Sequence, residues 1–199
     1  MRKTDSVANK QSVFSMLGAG THSNYERVEH DFYSTDPSAI DYLLQHETFD
    51  ENIWECACGN GNLSKQLEKY GYNVYSTDLV YRGYGEKKSV DFIKQRKSFD
   101  GDIITNPPYT LQEDFILNAL QLSKRKVAMF LKIQFLESKK RYLKIFRNYP
   151  PTRIYVFVKR IWCYRNDDRT NKNSAVCYSW FVWDKENIGE TKVYWIENF

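Results

Sequence analysis

Asn106, Pro107, Pro108 and Tyr109 form the most pointed chemical pattern in the 199-residue chain. They follow "DIIT" (102–105), an apolar run that reads as a buried strand ending at Asn106. A turn needs one proline. Two prolines beside an amide and a ring suit a stiff device that presents acceptors, because proline fixes φ and carries no competing N–H. The chemistry this would serve is methylation of an exocyclic amino group. Such a nitrogen is a poor nucleophile, since its lone pair is delocalised into the ring. Acceptors on both of its hydrogens, the Asn106 side-chain oxygen and the Pro107 carbonyl, would favour a pyramidal nitrogen and aim the lone pair at a methyl donor. Tyr109 could then stack on the base, an interaction worth about 1–3 kcal/mol in single-stranded complexes. Taken alone, the four residues also describe an ordinary proline turn.

Two further places carry a compatible pattern. "ECACGNGN" (55–62) follows one predicted strand and precedes a helix, and Gly59 and Gly61 permit a sharp turn with close backbone approach. It has no GK[ST], so it is not a phosphate loop, and Ser64 replaces the third glycine of a dinucleotide fingerprint. A plain strand-to-helix turn has the same appearance. The next predicted strand ends at Asp78, 17 positions beyond Gly61, where an acid can accept both hydroxyls of a ribose. Lacking a pyrophosphate finger, the pair favours a nucleoside cofactor without a diphosphate, such as S-adenosylmethionine. Asp91 and Phe92 could bind and cover an adenine, or be a capping acid beside a core ring.

The elements that must position these residues can be read from periodicity. Helices are expected over 35–46, with Asp36 as cap and Pro37 in the first turn, over 62–71, ended by Gly71, and over 111–123 and 138–149. Strands are expected at 52–57, 73–78, 102–106 and 126–133, in "SVDFI" (89–93), and in "RIYVFV", "AVCYSWFVW" and "KVYWI". This alternation predicts one α/β domain over 31–199, built on a mostly parallel, doubly wound sheet with an antiparallel strand at the end of the chain. In such folds ligands sit at the carboxyl ends of the strands, which selects the three places above. Residues 1–30, polar with a small "MLGAG" island, read as an arm that can be mobile.

Net charge is +4, but residues 120–172 hold 15 basic and 3 acidic side chains, a net +12. That is either a solvated face or a footprint for a polyanion. Four cysteines (Cys56, Cys58, Cys163, Cys177) and three distant histidines make no zinc spacing, so no metal is expected. No apolar run spans a membrane and no apolar signal core opens the chain, so a cytoplasmic protein is expected.

With these motifs in place, the chain resembles the S-adenosylmethionine-dependent amino-group methyltransferases of the Rossmann-like class I fold. "ECACGNG" is similar to their first cofactor motif, Asp78 to the ribose acid, "DFI" to the adenine-contacting motif and "NPPY" to the catalytic [DNS]-P-P-[YFW] motif. The order of motifs resembles the gamma-like arrangement of DNA adenine methyltransferases. Over roughly residues 16–185 the chain resembles a small phage- and prophage-encoded DNA adenine methyltransferase family, through "DFYSTDP", "DIITNPPY", "VAMFLKIQFLESKKR" and "SAVCYSWFVWDK". It departs at Cys56, commonly Pro in that family, and at Asn62. The resemblance implies a seven-stranded sheet, S-adenosylmethionine as cofactor and DNA as partner. It implies Asn106, Pro107, Pro108 and Tyr109 as catalytic, and Phe32, Tyr33, Thr35, Glu55, Cys56, Ala57, Gly59, Gly61, Asp78, Leu79, Asp91 and Phe92 at the cofactor. A base within a duplex must be flipped to reach a buried pocket, or be single-stranded already. Lys139, Lys140, Arg141, Arg160, Arg165, Arg169 and Lys172 are the candidate phosphate contacts. The same chemistry would serve an RNA base, cytosine or a protein glutamine, and a catalytically inert nucleic-acid-binding relic would share the charge pattern.

Overall fold

The β-branched and aromatic runs alternate faces with period two, and each face is covered by its own helices. A computed structural model describes residues 32–165, 167, 169, 170 and 176–199, so the arm 1–30 lies outside the described residues. The strands are β1 (Tyr33–Thr35), β2 (Asn52–Glu55), β3 (Asn73–Ser76), β4 (Asp102–Thr105), β5 (Lys126–Lys132), β6 (Arg153–Phe157), β7 (Cys163–Arg165), β8 (Tyr178–Asp184) and β9 (Lys192–Ile196). The helices are α1 (Ser38–Leu44), α2 (Asn62–Lys69), α3 (Gln112–Leu122) and α4 (Lys139–Arg141), the last continued by a π turn over Tyr142–Phe146.

Seven strands form one sheet in the order β3-β2-β4-β5-β8-β6-β9. Strands β3, β2, β4 and β5 are parallel, β8 is antiparallel to both β5 and β6, and β9 runs parallel to β6. Along β5, Val127, Met129 and Leu131 pack toward α3, whereas Ala128 and Phe130 pack toward α1 and α2. Strand β8 alternates likewise, with Phe181 and Trp183 opposite Trp180 and Val182. Asp36 accepts from the Ser38 N–H at 3.0 Å and so satisfies an orphan donor at the start of α1. Gly71, at φ +88°, closes α2 in the left-handed region.

Four expectations change. "SVDFI" forms no strand: Phe92–Lys94 is a 3-10 turn, and β9 supplies the seventh strand at the far edge. The sheet has the expected antiparallel strand, but it is the penultimate one in the chain, β8, inserted between β5 and β6, and the last strand, β9, is parallel to β6. The basic helix 138–149 is one α-turn followed by a π turn, its polar outer face leaving only Ile145 buried. Two short strands went unforeseen: β1 and β7 pair antiparallel, with Thr35 opposite Cys163 and Tyr33 opposite Arg165.

Candidate active site

Strand β2 lies between β3 and β4, so parallel pairing brings their carboxyl ends to one side of the sheet. A cavity of about 700 Å³ opens there. Its wall includes Phe32, Tyr33, Thr35, Glu55, Cys56, Ala57, Asp78, Leu79, Asp91, Phe92, Asn106, Pro107, Pro108 and Tyr109. Gly59 and Gly61 are not part of the wall, although their neighbours Cys58, Asn60 and Asn62 are.

The two glycines have φ of +56° and +81°, and a Cβ on either would lie 2.2 Å from a ring, that of Phe32 at Gly59 and that of Tyr84 at Gly61. The close approach they permit is to aromatic side chains of this chain, which brace the loop. Asp78 fixes the same loop by accepting the Gly59 N–H at 2.8 Å. Its second oxygen accepts the Val80 N–H at 2.9 Å and faces Arg82 at 3.3 Å, and the Arg82 guanidinium also lies 4.9 Å over the Phe32 ring. Glu55 is buried and accepts from the Ser64 hydroxyl at 2.6 Å. Burial outweighs that bond and pushes its carboxyl up to about 8. Burial also pushes the Cys56 thiol well above its ordinary range. Phe92 packs edge-on against Trp54 and tilted against Phe115, so it serves the core and the cavity wall together. Asp91 is paired with Lys94 at 3.0 Å.

At the other end of the cavity, the Asn106 amide nitrogen donates to the Thr35 hydroxyl at 2.9 Å and faces the Tyr33 carbonyl at 3.5 Å. A carbonyl only accepts, so the nitrogen must take that side. The Asn106 side-chain oxygen is buried with no hydrogen-bond partner. Tyr109 lies 4.7 Å from the tilted ring of Tyr33, and its hydroxyl hydrogen-bonds that of Tyr178. The Lys132 ammonium sits 4.2 Å over the Tyr109 ring. Burial raises the Tyr109 phenol far above its ordinary range and pushes the Cys163 thiol up to about 12, so neither is a nucleophile near neutral pH. Within "DFYST", Phe32 covers the glycine loop, whereas Tyr33 and Thr35 reach the N-P-P-Y turn.

Sequence reasoning missed Ser34, Asn62, Arg82, Lys132 and Cys163. Asn62 joins the glycine loop to β1 through Ser34 Oγ at 2.5 Å and the Thr35 carbonyl at 3.1 Å. Lys132 had a signal: it closes a predicted strand at its carboxyl end, where the fold puts ligands. Ser34, Asn62 and Cys163 act through the β1–β7 pair, and Arg82 acts through Asp78 and the Phe32 ring.

Lys139, Lys140, Arg141, Arg160 and Arg169 do not line the cavity. Lys140 pairs with Glu113 at 3.2 Å, and Lys144 pairs with Glu113 and Asp114. Arg141 donates to the Glu137 carbonyl and lies 4.8 Å over Phe135. Arg169 is 3.5 Å from Asp167, while Lys139 and Arg160 are exposed. Arg165 belongs to β7, and Lys172 lies outside the described residues. Among the described residues no His, Cys, Asp and Glu group is placed to hold a metal, and no helix is long and apolar enough to cross a membrane.

Sheet order, strand directions and the position of the cavity define the Rossmann-like fold of class I S-adenosylmethionine-dependent methyltransferases. A candidate class I S-adenosylmethionine-dependent methyltransferase from Listeria monocytogenes superposes with a TM-score of 0.58 at 13% identity, over 94% of this chain and 72% of that one. The modification subunit of a candidate type I restriction enzyme from Vibrio vulnificus gives 0.56 at 12%, over 94% of this chain and 50% of that one. A candidate RNA methyltransferase from Pyrococcus horikoshii gives 0.55 at 16%, over 89% and 98%. No known family profile matches the chain, and no curated protein matches it. At these identities the likeness speaks for the fold.

Proposed function

We propose that this protein is an S-adenosylmethionine-dependent DNA methyltransferase acting on the exocyclic amino group of adenine, in a flipped or single-stranded base. The observation that carries the reading is the buried, unpartnered Asn106 side-chain oxygen beside Tyr109. A buried acceptor without a partner is costly unless a ligand supplies the donor. The donor end fits the cofactor by its chemistry, with Asp78 held for a ribose and Glu55 able to carry the charge that offsets a cation.

When bound, S-adenosylmethionine supplies an electrophilic methyl group on a sulfonium. Asn106 Oδ1 accepts one amino hydrogen and the Pro107 carbonyl accepts the other. Thr35 and Tyr33 hold the Asn106 amide nitrogen, which leaves its oxygen for the amino hydrogen. Tyr109 stacks on the base, and the amino proton leaves to solvent. The rate gain comes mainly from positioning. The exposed cations Lys139, Arg160 and Arg169, with Arg165 and Lys172, are the phosphate contacts under this reading.

The test uses methyl-tritiated S-adenosylmethionine with unmethylated duplex DNA, single-stranded DNA, ribosomal RNA and a glutamine peptide. Label recovered as N6-methyladenine in DNA is the expected result. Label confined to RNA or peptide would overturn the substrate. Label undiminished in Asn106→Ala would overturn the mechanism.

A further inference from the structure

We propose that Tyr178 is the positioning residue for Tyr109, holding that ring in place for the target base. The proposal rests on the function proposed above, in which Tyr109 stacks on the base, and names the group that steadies it. Tyr109 lines the cavity and Tyr178 does not, so Tyr178 acts through Tyr109. Stacking uses the ring of a tyrosine and leaves its hydroxyl for another task. In Tyr109 that hydroxyl is bonded to the Tyr178 hydroxyl. Burial keeps both phenols protonated near neutral pH, so one donates and the other accepts.

A tyrosine hydroxyl lies on the axis about which its ring turns, so an anchor there sets where that axis points. Neighbouring rings set the plane: that of Tyr33 at 4.7 Å, tilted by 47°, and that of Tyr178 itself at 6.3 Å and 27°. The anchor is rigid. Tyr178 opens β8, in register with Lys132 at the end of β5, and is 5% exposed. Its ring stacks at 5.2 Å and 10° on Phe130, which is fully buried. The line Phe130, Tyr178, Tyr109 thus runs from the core of the sheet to the cavity wall.

Ordering a loose side chain on binding lowers affinity, and an anchored ring avoids that cost. A ring held in one place stacks in the ground state and the transition state alike. Losing the anchor should therefore raise the KM for the acceptor and leave kcat little changed. A hydroxyl pair that served the fold alone would behave otherwise. Removing one hydroxyl leaves the other buried without its partner, whereas removing both leaves two apolar rings of the same shape and can be nearly neutral for stability.

The test compares wild type, Tyr178→Phe, Tyr109→Phe and the double variant on oligo(dA) and duplex DNA at saturating donor, with urea unfolding of each. Tyr178→Phe should raise the KM for nucleic acid about 2- to 13-fold, the effect of one neutral hydrogen bond, while donor affinity stays unchanged. The double variant should regain stability in urea yet keep the raised KM, no higher than in either single variant. A folded Tyr178→Phe enzyme with the wild-type KM, whatever its kcat, refutes the Tyr178 assignment alone. So does a double variant that regains the wild-type KM along with its stability. No methylation of nucleic acid by the wild type refutes the underlying function and this assignment with it.

Discussion

Replacing Asn106 and Thr35 singly and together tests whether the unpartnered oxygen is the working group. Asn106→Ala removes an acceptor that the protein already aims, through bonds of its amide nitrogen to Thr35 at 2.9 Å and toward Tyr33 at 3.5 Å. Loss of one preorganised hydrogen-bonding group costs about 2.7–4 kcal/mol of transition-state stabilisation, or about 10²- to 10³-fold in kcat. Thr35→Val leaves the oxygen in place but frees the amide to rotate. A neutral hydrogen bond contributes about 0.5–1.5 kcal/mol, which corresponds to about 2- to 13-fold. Since Thr35 acts through Asn106, the double variant should be no slower than Asn106→Ala alone, a coupling visible in a double-mutant cycle. Single-turnover methyl transfer at saturating donor isolates this step from donor binding. Multiplicative effects in the double variant, or an Asn106→Ala enzyme within tenfold of wild type, would refute the reasoning.

Three further perturbations follow from the same structure. Gly59→Ala places a Cβ 2.2 Å from the Phe32 ring at a φ of +56°, so thermal unfolding should move down and donor affinity should fall at least tenfold in a calorimetric titration. Glu47, buried, accepts from Lys126, Arg153 and Tyr155; Glu47→Ala leaves Arg153 and Lys126 with Asp184 as the remaining carboxylate, at 2.9 and 3.7 Å, and should cost at most about 3–5 kcal/mol in urea unfolding. Burial opposes ionisation of Glu47, but the bonds from Arg153 and Lys126 prevail and hold its pKa below the ordinary value, so the stability it contributes is present above that value and is lost as pH falls through the lowered one. Glu55 has the opposite sign: burial raises it to about 8, its protonated form stabilises the fold at low pH, and that contribution is lost as pH rises through about 8. A cationic donor favours the carboxylate, so donor affinity should rise with pH from 7 and level off above about 8, and Glu55→Gln should abolish the dependence.

The central sheet was legible because each strand that forms it carries its own signal. Val127, Met129 and Leu131 face one core while Ala128 and Phe130 face the other, and such alternation can be read without knowing any partner. "SVDFI" misled because its apolar residues suit a short strand, yet Phe92 turns inward against Trp54 and Phe115, and the Asn118 amide caps its carbonyl at 2.7 Å. The basic helix misled because charge says where solvent lies and nothing about which cations meet Glu113 and Asp114. The strands β1 and β7 were illegible for a deeper reason. Each is three residues long and separated from its partner by 128 positions at Thr35–Cys163, so neither has a pattern of its own. That pairing has a chemical consequence, because β1 carries the hydroxyl and the carbonyl that orient the Asn106 amide. Under the proposed function N-P-P-Y supplies the acceptor, while the bonds that hold its amide come from a segment 71 to 73 residues upstream, Tyr33 to Thr35. A chain that kept the motif but lost the β1–β7 ladder would keep its signature and lose the aimed oxygen on which the proposed transfer depends.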